Sequence, residues 1–361
     1  MRKIALMMCV ALIALIGAAC SSDPTPTPVP AKAPAAPAAP KAAPTATPLP
    51  APTTLKLLSA FNPATVITAK AIMDVYPAAI KEATKGTVIV EYGGGPETVP
   101  PFVQLDPVRK GLFDIGINHP GYHSAVFVYG GGLEIANGTY AEREKCGLNQ
   151  AIRDQYKNNA GVHWEGVFIG IGNALAVSKP VTTLEDLKGL TVRVYPGSTG
   201  PFMKALGLNP APMRIGEVYA ALDRGVVEGA VAGGSHAVNI NLGLHEKAKY
   251  LIRPDFGEGA ASLIFNGDKW NGLTKWQQDQ ITGVMADSSY KVRKIVSDDN
   301  RAKIAKATKE DGAKVVNLSE ADTQTWLDTW FKSTANASVL SGPDFGTAGK
   351  IIELANCVNN L

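Results

Sequence analysis

The sequence predicts an α/β protein of two lobes, with long strands joining them at a hinge and a C-terminal layer of helices. Three observations carry this. Strand-like and helix-like stretches alternate through the first half of the body, the signature of a mostly parallel sheet. Two long strand-like runs, HWEGVFIGIGNALAVSKPV from His163 and ASLIFNGDKW further on, suit segments that pass from one lobe to the other. From Leu273 onward the chain reads as helix. A chain of 361 residues that is 45% hydrophobic suffices for about two domains.

The formal net charge of +3 is too small for a surface that coats nucleic acid or membrane. There is no Cys-x-x-Cys pair, zinc-finger spacing or HExxH motif, and the five histidines are scattered, so neither metal nor cofactor is expected. The N-terminus has the pattern of a secretory leader over residues 1–19: Arg2 and Lys3, an apolar run over 4–16, then Gly17-Ala18-Ala19-Cys20. The run is short for a membrane span. The last four residues resemble the bacterial lipobox, which would place a lipid on Cys20 and hold the protein at a bacterial membrane; Gly17 stands where that motif prefers leucine. Residues 20–53 are proline- and alanine-rich and cannot form a core; they read as an extended tether. Cys146 and Cys357 are then left as an even pair in an oxidising compartment, either a disulfide or two separate thiols.

The body begins with LKLLSAF, a strand over 55–61. Apolar residues at helical spacing follow over 64–84, closed by Gly86. TVIVEYGGG is the next strand, 101–110 a short helix, and FDIGI a third strand. Two helical stretches lead to Gly161 and the first long strand-like run. Beyond it, Thr183 is placed to cap a turn at 184–188, TVRVY is a strand, and Ser198 or Thr199 is placed to cap the helix PFMKALG. A PAPM turn, a helix over 216–224 and another strand precede ASLIFNGDKW. Thr274 and Ser319 are expected to cap the late helices. One lobe is expected over 54–173 and the other mainly over 174–260, with 261–361 returning across the hinge and bracing both.

The run over 184–229, LEDLKGLTVRVYPGSTGPFMKALGLNPAPMRIGEVYAALDRGVVEG, resembles the DctP-type substrate-binding proteins of tripartite ATP-independent periplasmic (TRAP) transporters. The matching pieces are DLKGLTVRV, PAPM, EVYAAL and GVVEG, and GLFDIGINHPGYH upstream is similar to a further family segment. The resemblance implies a two-lobed periplasmic binding protein fold that closes on a small carboxylate and delivers it to a permease driven by an ion gradient. It implies no catalysis and no cofactor, and a monomer is expected.

Arg193 is the central candidate. Thr191, Arg193 and Tyr195 share one face of their strand, and in a sheet covered on both faces the guanidinium needs a partner. Taken alone, that leaves a structural ion pair or a bound carboxylate. The resemblance places Arg193 at the family's carboxylate-binding arginine, whose planar fork grips a carboxylate with two bonds. Tyr195 follows on the same face. Asn173, near the crossing between lobes, is a ligand contact or a hinge bracket. Trp164 could wall the cleft or pack in the core. Ligands of α/β sheets sit at the carboxyl ends of strands, which selects Phe61, Asn62, Asn118, His119 and Tyr122. Many members of the family carry a ligand-binding asparagine after the GVVDG segment. Ala232 stands there in this chain, so His236 or Asn239 is expected to take over. Glu217 and Tyr219 are expected to support the site from behind. The stretch YGGGLEIANGTY is similar to the subgroup that takes 2-oxo acids and other monocarboxylates.

An enzyme is the rival class, yet there is no G-x-S-x-G elbow and no G-x-G-x-x-G after the first strand. A further alternative keeps the binding and changes the destination, to a membrane sensor or a scavenging system.

Overall fold

The computed structural model describes residues 48–360 except 124–129, 137, 169–171, 196, 258–259 and 341–344. The leader, Cys20 and the tether as far as residue 47 lie outside these residues. Among the described residues the strands are β1 (Thr53–Ser59), β2 (Val88–Gly94), β3 (Ile115–Asn118), β4 (Val162–Phe168), β5 (Ala174–Val177), β6 (Thr191–Val194), β7 (Asn209–Pro212), β8 (Gly229–Ala232), β9 (Tyr250–Arg253), β10 (Ala260–Asn266) and β11 (Lys314–Asn317). They form two sheets, ordered β2-β1-β3-β10-β4 and β11-β9-β5-β8-β6-β7, one at the centre of each lobe.

The sheets are mixed rather than mostly parallel. β1 runs parallel to β2 and β3, but β10 is antiparallel to both β3 and β4, and β5 is antiparallel to β8 and β9. The antiparallel strands are those that cross the hinge: β4 leads into β5, and β9 leads back into β10. Each arrives from the other lobe and so runs against its neighbours. The two crossings are clamped together, with Asn173 N donating to Phe256 O at 2.7 Å and Phe256 N donating to Asn173 O at 3.0 Å. Gly172 permits this approach, because a Cβ there would lie 2.6 Å from Gly257 O.

PAPM is not a free turn. Residues Asn209–Pro212 pair parallel with β6 at the edge of the second sheet. A proline lacks the ladder N–H, which an outer edge tolerates. Thr183 does not cap with its side chain; instead Asp186 Oδ2 accepts from the N–H groups of Thr182 and Thr183 at 2.8 and 2.9 Å. Ser198 does not cap helix Thr199–Ala205, because its hydroxyl is used elsewhere, and Thr199 Oγ1 donates to Tyr195 O at 2.9 Å. Thr274 forms a full capping box with Gln277 on helix Lys275–Gly283, and Ser319 Oγ accepts from Asp322 N at 3.1 Å.

Two late helices brace the lobes. Met285–Glu310 packs on helix Ile67–Ala83 of the first lobe and helix His236–Asn241 of the second. Glu320–Leu340 packs on helices Gly130–Ile135 and Thr199–Ala205. Its Trp326 and Trp330 meet Phe202 and Phe256 beside the hinge, with ring centroids 5.0 to 5.5 Å apart. A disulfide joins Cys146 to Cys357 and ties the last helix back to the first lobe. No helix among the described residues is long and apolar enough to cross a membrane.

Candidate functional site

β6 is an inner strand of its sheet, between β7 and β8, and Val192, Arg193 and Val194 are all buried. Arg193 is 2% exposed. Its Nε donates to Met213 O at 3.0 Å and its Nη1 donates to Val231 O at 2.6 Å, which fixes the plane of the fork. Among the described residues no carboxylate forms an ion pair with it. Burial pulls its pKa down, and the influence of Tyr122, Tyr195 and Glu217 only partly offsets that. A buried cation without a counter-ion is costly.

Arg193 faces a cavity of about 60 Å³ between the lobes. Asn173 and Tyr195 join it from the hinge and the second lobe; Phe61, Thr68, His119 and Tyr122 close it from the first. The lobes are in contact around it. The rings of His119 and Tyr195 meet edge to face at 4.8 Å, and a Cβ on Gly197 would lie 3.4 Å from Gly121 Cα.

Behind the cavity a polar group bridges the lobes. Glu134, 1% exposed, lies on the excursion between β3 and β4 and accepts a short hydrogen bond from Ser198 Oγ of the second lobe. His119 Nε2 lies 3.4 Å from Glu134 Oε1, and Tyr195 Oη lies 3.5 Å from the same oxygen. Burial raises the Glu134 pKa to about 8, with the hydrogen bond from Ser198 opposing the rise. Burial, then the charges of His123 and Arg193, lower that of His119 to about 3. His119 Nδ1 accepts from Gly121 N at 3.0 Å, which leaves the proton of the neutral ring on Nε2. Near neutral pH, therefore, Glu134 is mainly protonated, His119 is neutral, and Arg193 is the one formal charge among the described cavity residues.

Six of the residues selected from sequence meet at this cavity: Phe61, His119, Tyr122, Asn173, Arg193 and Tyr195. Asn173 serves as hinge bracket through its backbone and as cavity wall through its side chain, where Oδ1 accepts from Tyr195 Oη at 2.9 Å. The others lie elsewhere. Asn62 is exposed and its Oδ1 accepts from Ala64 N at 2.8 Å, turning the chain into the first helix. Asn118 Oδ1 accepts from His119 N at 3.0 Å and shapes the loop behind the site. Trp164 is fully buried in the core, donating from Nε1 to Ser262 Oγ at 2.7 Å. His236 and Asn239 are buried away from the cavity: His236 Nε2 donates to Ile252 O at 3.1 Å, and Asn239 Nδ2 lies 3.4 Å from His236 Nδ1. Glu217 and Tyr219 are exposed, with Tyr219 Oη donating to Glu246 Oε2 at 2.9 Å. Sequence reasoning did not select Thr68, Glu134 or Ser198. Thr68 alone carried a signal, as a polar residue on the buried face of its helix.

Two lobes closing over a charged pocket, joined by paired crossing strands, define a solute-binding protein. The family model for bacterial extracellular solute-binding proteins of family 7, DctP, matches residues 153–337, and the chain belongs to that family. It is 28% identical over 214 residues to a monocarboxylate 2-oxoacid-binding periplasmic protein of Nostoc sp., covering 55% of this chain and 57% of that one. It is 30% identical over 159 residues to a 2,3-diketo-L-gulonate-binding periplasmic protein of Escherichia coli, covering 43% and 45% respectively. The chain thus spans about half the length of these curated relatives. In fold it is similar to a TRAP periplasmic solute-binding protein from Desulfovibrio salexigens with bound orotic acid, at a TM-score of 0.71 and 18% identity, covering 85% of this chain and 99% of that one.

Proposed function

We propose that this protein is an extracytoplasmic receptor that binds a small organic acid with one carboxylate between its lobes and delivers it to an ion-gradient-driven TRAP permease. The observation that carries the reading is Arg193: a buried guanidinium facing the cavity between the lobes, two of its donors held by backbone and no carboxylate among the described residues paired with it. A ligand carboxylate supplies the missing charge and accepts the remaining N–H groups. One uncompensated cation favours one carboxylate, and a dicarboxylate would bring a second charge with nothing to meet it.

Two likenesses support the class of acid. The relative from Nostoc is a monocarboxylate 2-oxoacid-binding protein, and the structure from Desulfovibrio salexigens holds orotic acid. The residues act in sequence. In an open cleft Arg193 captures the acid, and closure about the Asn173–Phe256 clamp brings His119, Tyr122 and Phe61 over it and excludes water. The protein releases what it bound unchanged, and a lipid on Cys20, left at the N-terminus once the leader is removed, would hold it at the membrane beside its permease.

Isothermal calorimetry on purified protein tests this. Pyruvate and related 2-oxo monocarboxylates are expected to bind, succinate much more weakly, and Arg193→Ala to abolish tight binding while the protein stays folded. Unchanged affinity in Arg193→Ala would overturn the assignment.

A further inference from the structure

Two buried polar atoms at the cavity have no hydrogen-bond partner: Asn173 Nδ2 and Thr68 Oγ1. The residues are 1% and 6% exposed. They come from different parts of the cleft, Asn173 from the crossing between the lobes and Thr68 from the first turn of helix Ile67–Ala83. Gly233 and Gly234 lie between them. A Cβ on Gly233 would stand 3.4 Å from Asn173 Oδ1, and one on Gly234 would stand 3.0 Å from Thr68 Oγ1. A side chain at position 234 would press on the Thr68 hydroxyl itself, while Gly233 lies against Asn173 Oδ1, the oxygen that Tyr195 already uses.

Leaving a buried polar group unpaired is costly. Thr68 stands in the first turn of its helix, with no helical turn before it to take its hydroxyl, and the hydroxyl has no other partner. Asn173 is held as a donor, because its Oδ1 already accepts from Tyr195 Oη. The cavity therefore presents a guanidinium edge together with an amide donor and a hydroxyl. The guanidinium takes both oxygens of a carboxylate. The other two groups then call for a further oxygen on the same ligand.

We propose that Thr68 is a specificity-determining residue: its hydroxyl, with the Asn173 amide, binds an oxygen substituent beside the ligand's carboxylate, and so selects 2-oxo and 2-hydroxy acids over plain alkanoates. This rests on the carboxylate-receptor reading above.

Calorimetry with pyruvate, L-lactate and propionate on wild type, Thr68→Val and Thr68→Ser separates the outcomes. Wild type is expected to bind at least one of the oxygen-bearing acids about tenfold or more tightly than propionate. Thr68→Val keeps the shape and removes the hydroxyl, and it is expected to lose about tenfold for the oxygen-bearing acids while its propionate affinity stays unchanged. Thr68→Ser should stay close to wild type. If the valine variant does not fold, Thr68→Ala against Thr68→Ser makes the same comparison. Equal affinity of wild type for propionate and the oxygen-bearing acids, or equal binding of pyruvate and L-lactate by wild type and Thr68→Val, overturns the role of Thr68 alone. So does a parallel loss for propionate. Failure of wild type to bind any of the three acids overturns the carboxylate reading and this inference with it.

Discussion

Glu134, on the first lobe, accepts a hydrogen bond from Ser198 Oγ of the second, so a buried carboxyl holds the two lobes together next to the cavity. Closing the cleft removes this group and its neighbour His119 from water, and both titrate away from their ordinary values. Glu134 rises from 4.5 to about 8, so its contribution to closure is full below pH 4.5 and is lost as pH climbs towards 8. His119 falls from 6.5 to about 3, so its contribution is full above pH 6.5 and is lost as pH drops towards 3. Between 4.5 and 6.5 the two slopes oppose each other; above 6.5 Glu134 acts alone. Ligand affinity is expected to be level across the first interval and to fall above it, by at most about tenfold per pH unit. Calorimetry over this range checks it, and Glu134→Gln should flatten the alkaline fall. A wild-type profile that is flat from pH 6.5 to 8 would contradict the latch.

Arg193→Lys separates charge from geometry. Lysine keeps a cation but loses the planar fork that Met213 O and Val231 O hold in place. The variant is expected to bind the same acids about 10- to 100-fold more weakly, the loss of one charge-assisted hydrogen bond. Competition titrations against wild type measure this, and equal affinity would mean that charge alone suffices.

The sequence made the strand carrying Arg193 legible because a long motif surrounds it, and Asn173 because a polar residue stood in an otherwise apolar crossing run. Glu134 and Ser198 were hidden for a physical reason. They lie 64 residues apart, and their roles arise only when the two lobes meet. Ser198 read as a helix cap because its position suits one, and the contact across the cleft claimed its hydroxyl instead. His236 and Asn239 were selected for filling the place of a missing asparagine, but His236 is engaged by Ile252 O and Asn239 by the His236 ring, away from the cavity. The direction of β10 was likewise beyond local pattern, since a buried strand reads the same whichever way it runs.

The hinge gives a stability prediction. Gly172 lies where the two crossing segments touch, and a methyl group there would meet Gly257 O at 2.6 Å and Phe256 O at 2.7 Å. Backbone atoms cannot swing aside as a side chain can. Gly172→Ala is expected to destabilise the protein by about 1–3 kcal/mol, as overpacking does elsewhere. Thermal unfolding of the unliganded protein measures this, and an unchanged midpoint would show that the crossing yields.

The disulfide should matter more than its place near the C-terminus suggests. Cys146 ends the helix Tyr140–Lys145 and Cys357 lies in the last helix, 211 residues further along the chain. Closing so long a loop restricts the unfolded chain strongly, and losing a native bridge typically costs about 2–5 kcal/mol. There is a second consequence. Asn359 Nδ2 donates to Ile135 O at 2.8 Å, so the bridged helix also braces the segment carrying Glu134. The variant with both Cys146→Ser and Cys357→Ser is therefore expected to unfold at a lower temperature and to bind ligand more weakly, because the latch is less firmly held. Reductant should reproduce both changes in wild type and neither in the variant. If the double variant matched wild type in unfolding midpoint and affinity, the bridge would be dispensable both to the fold and to closure.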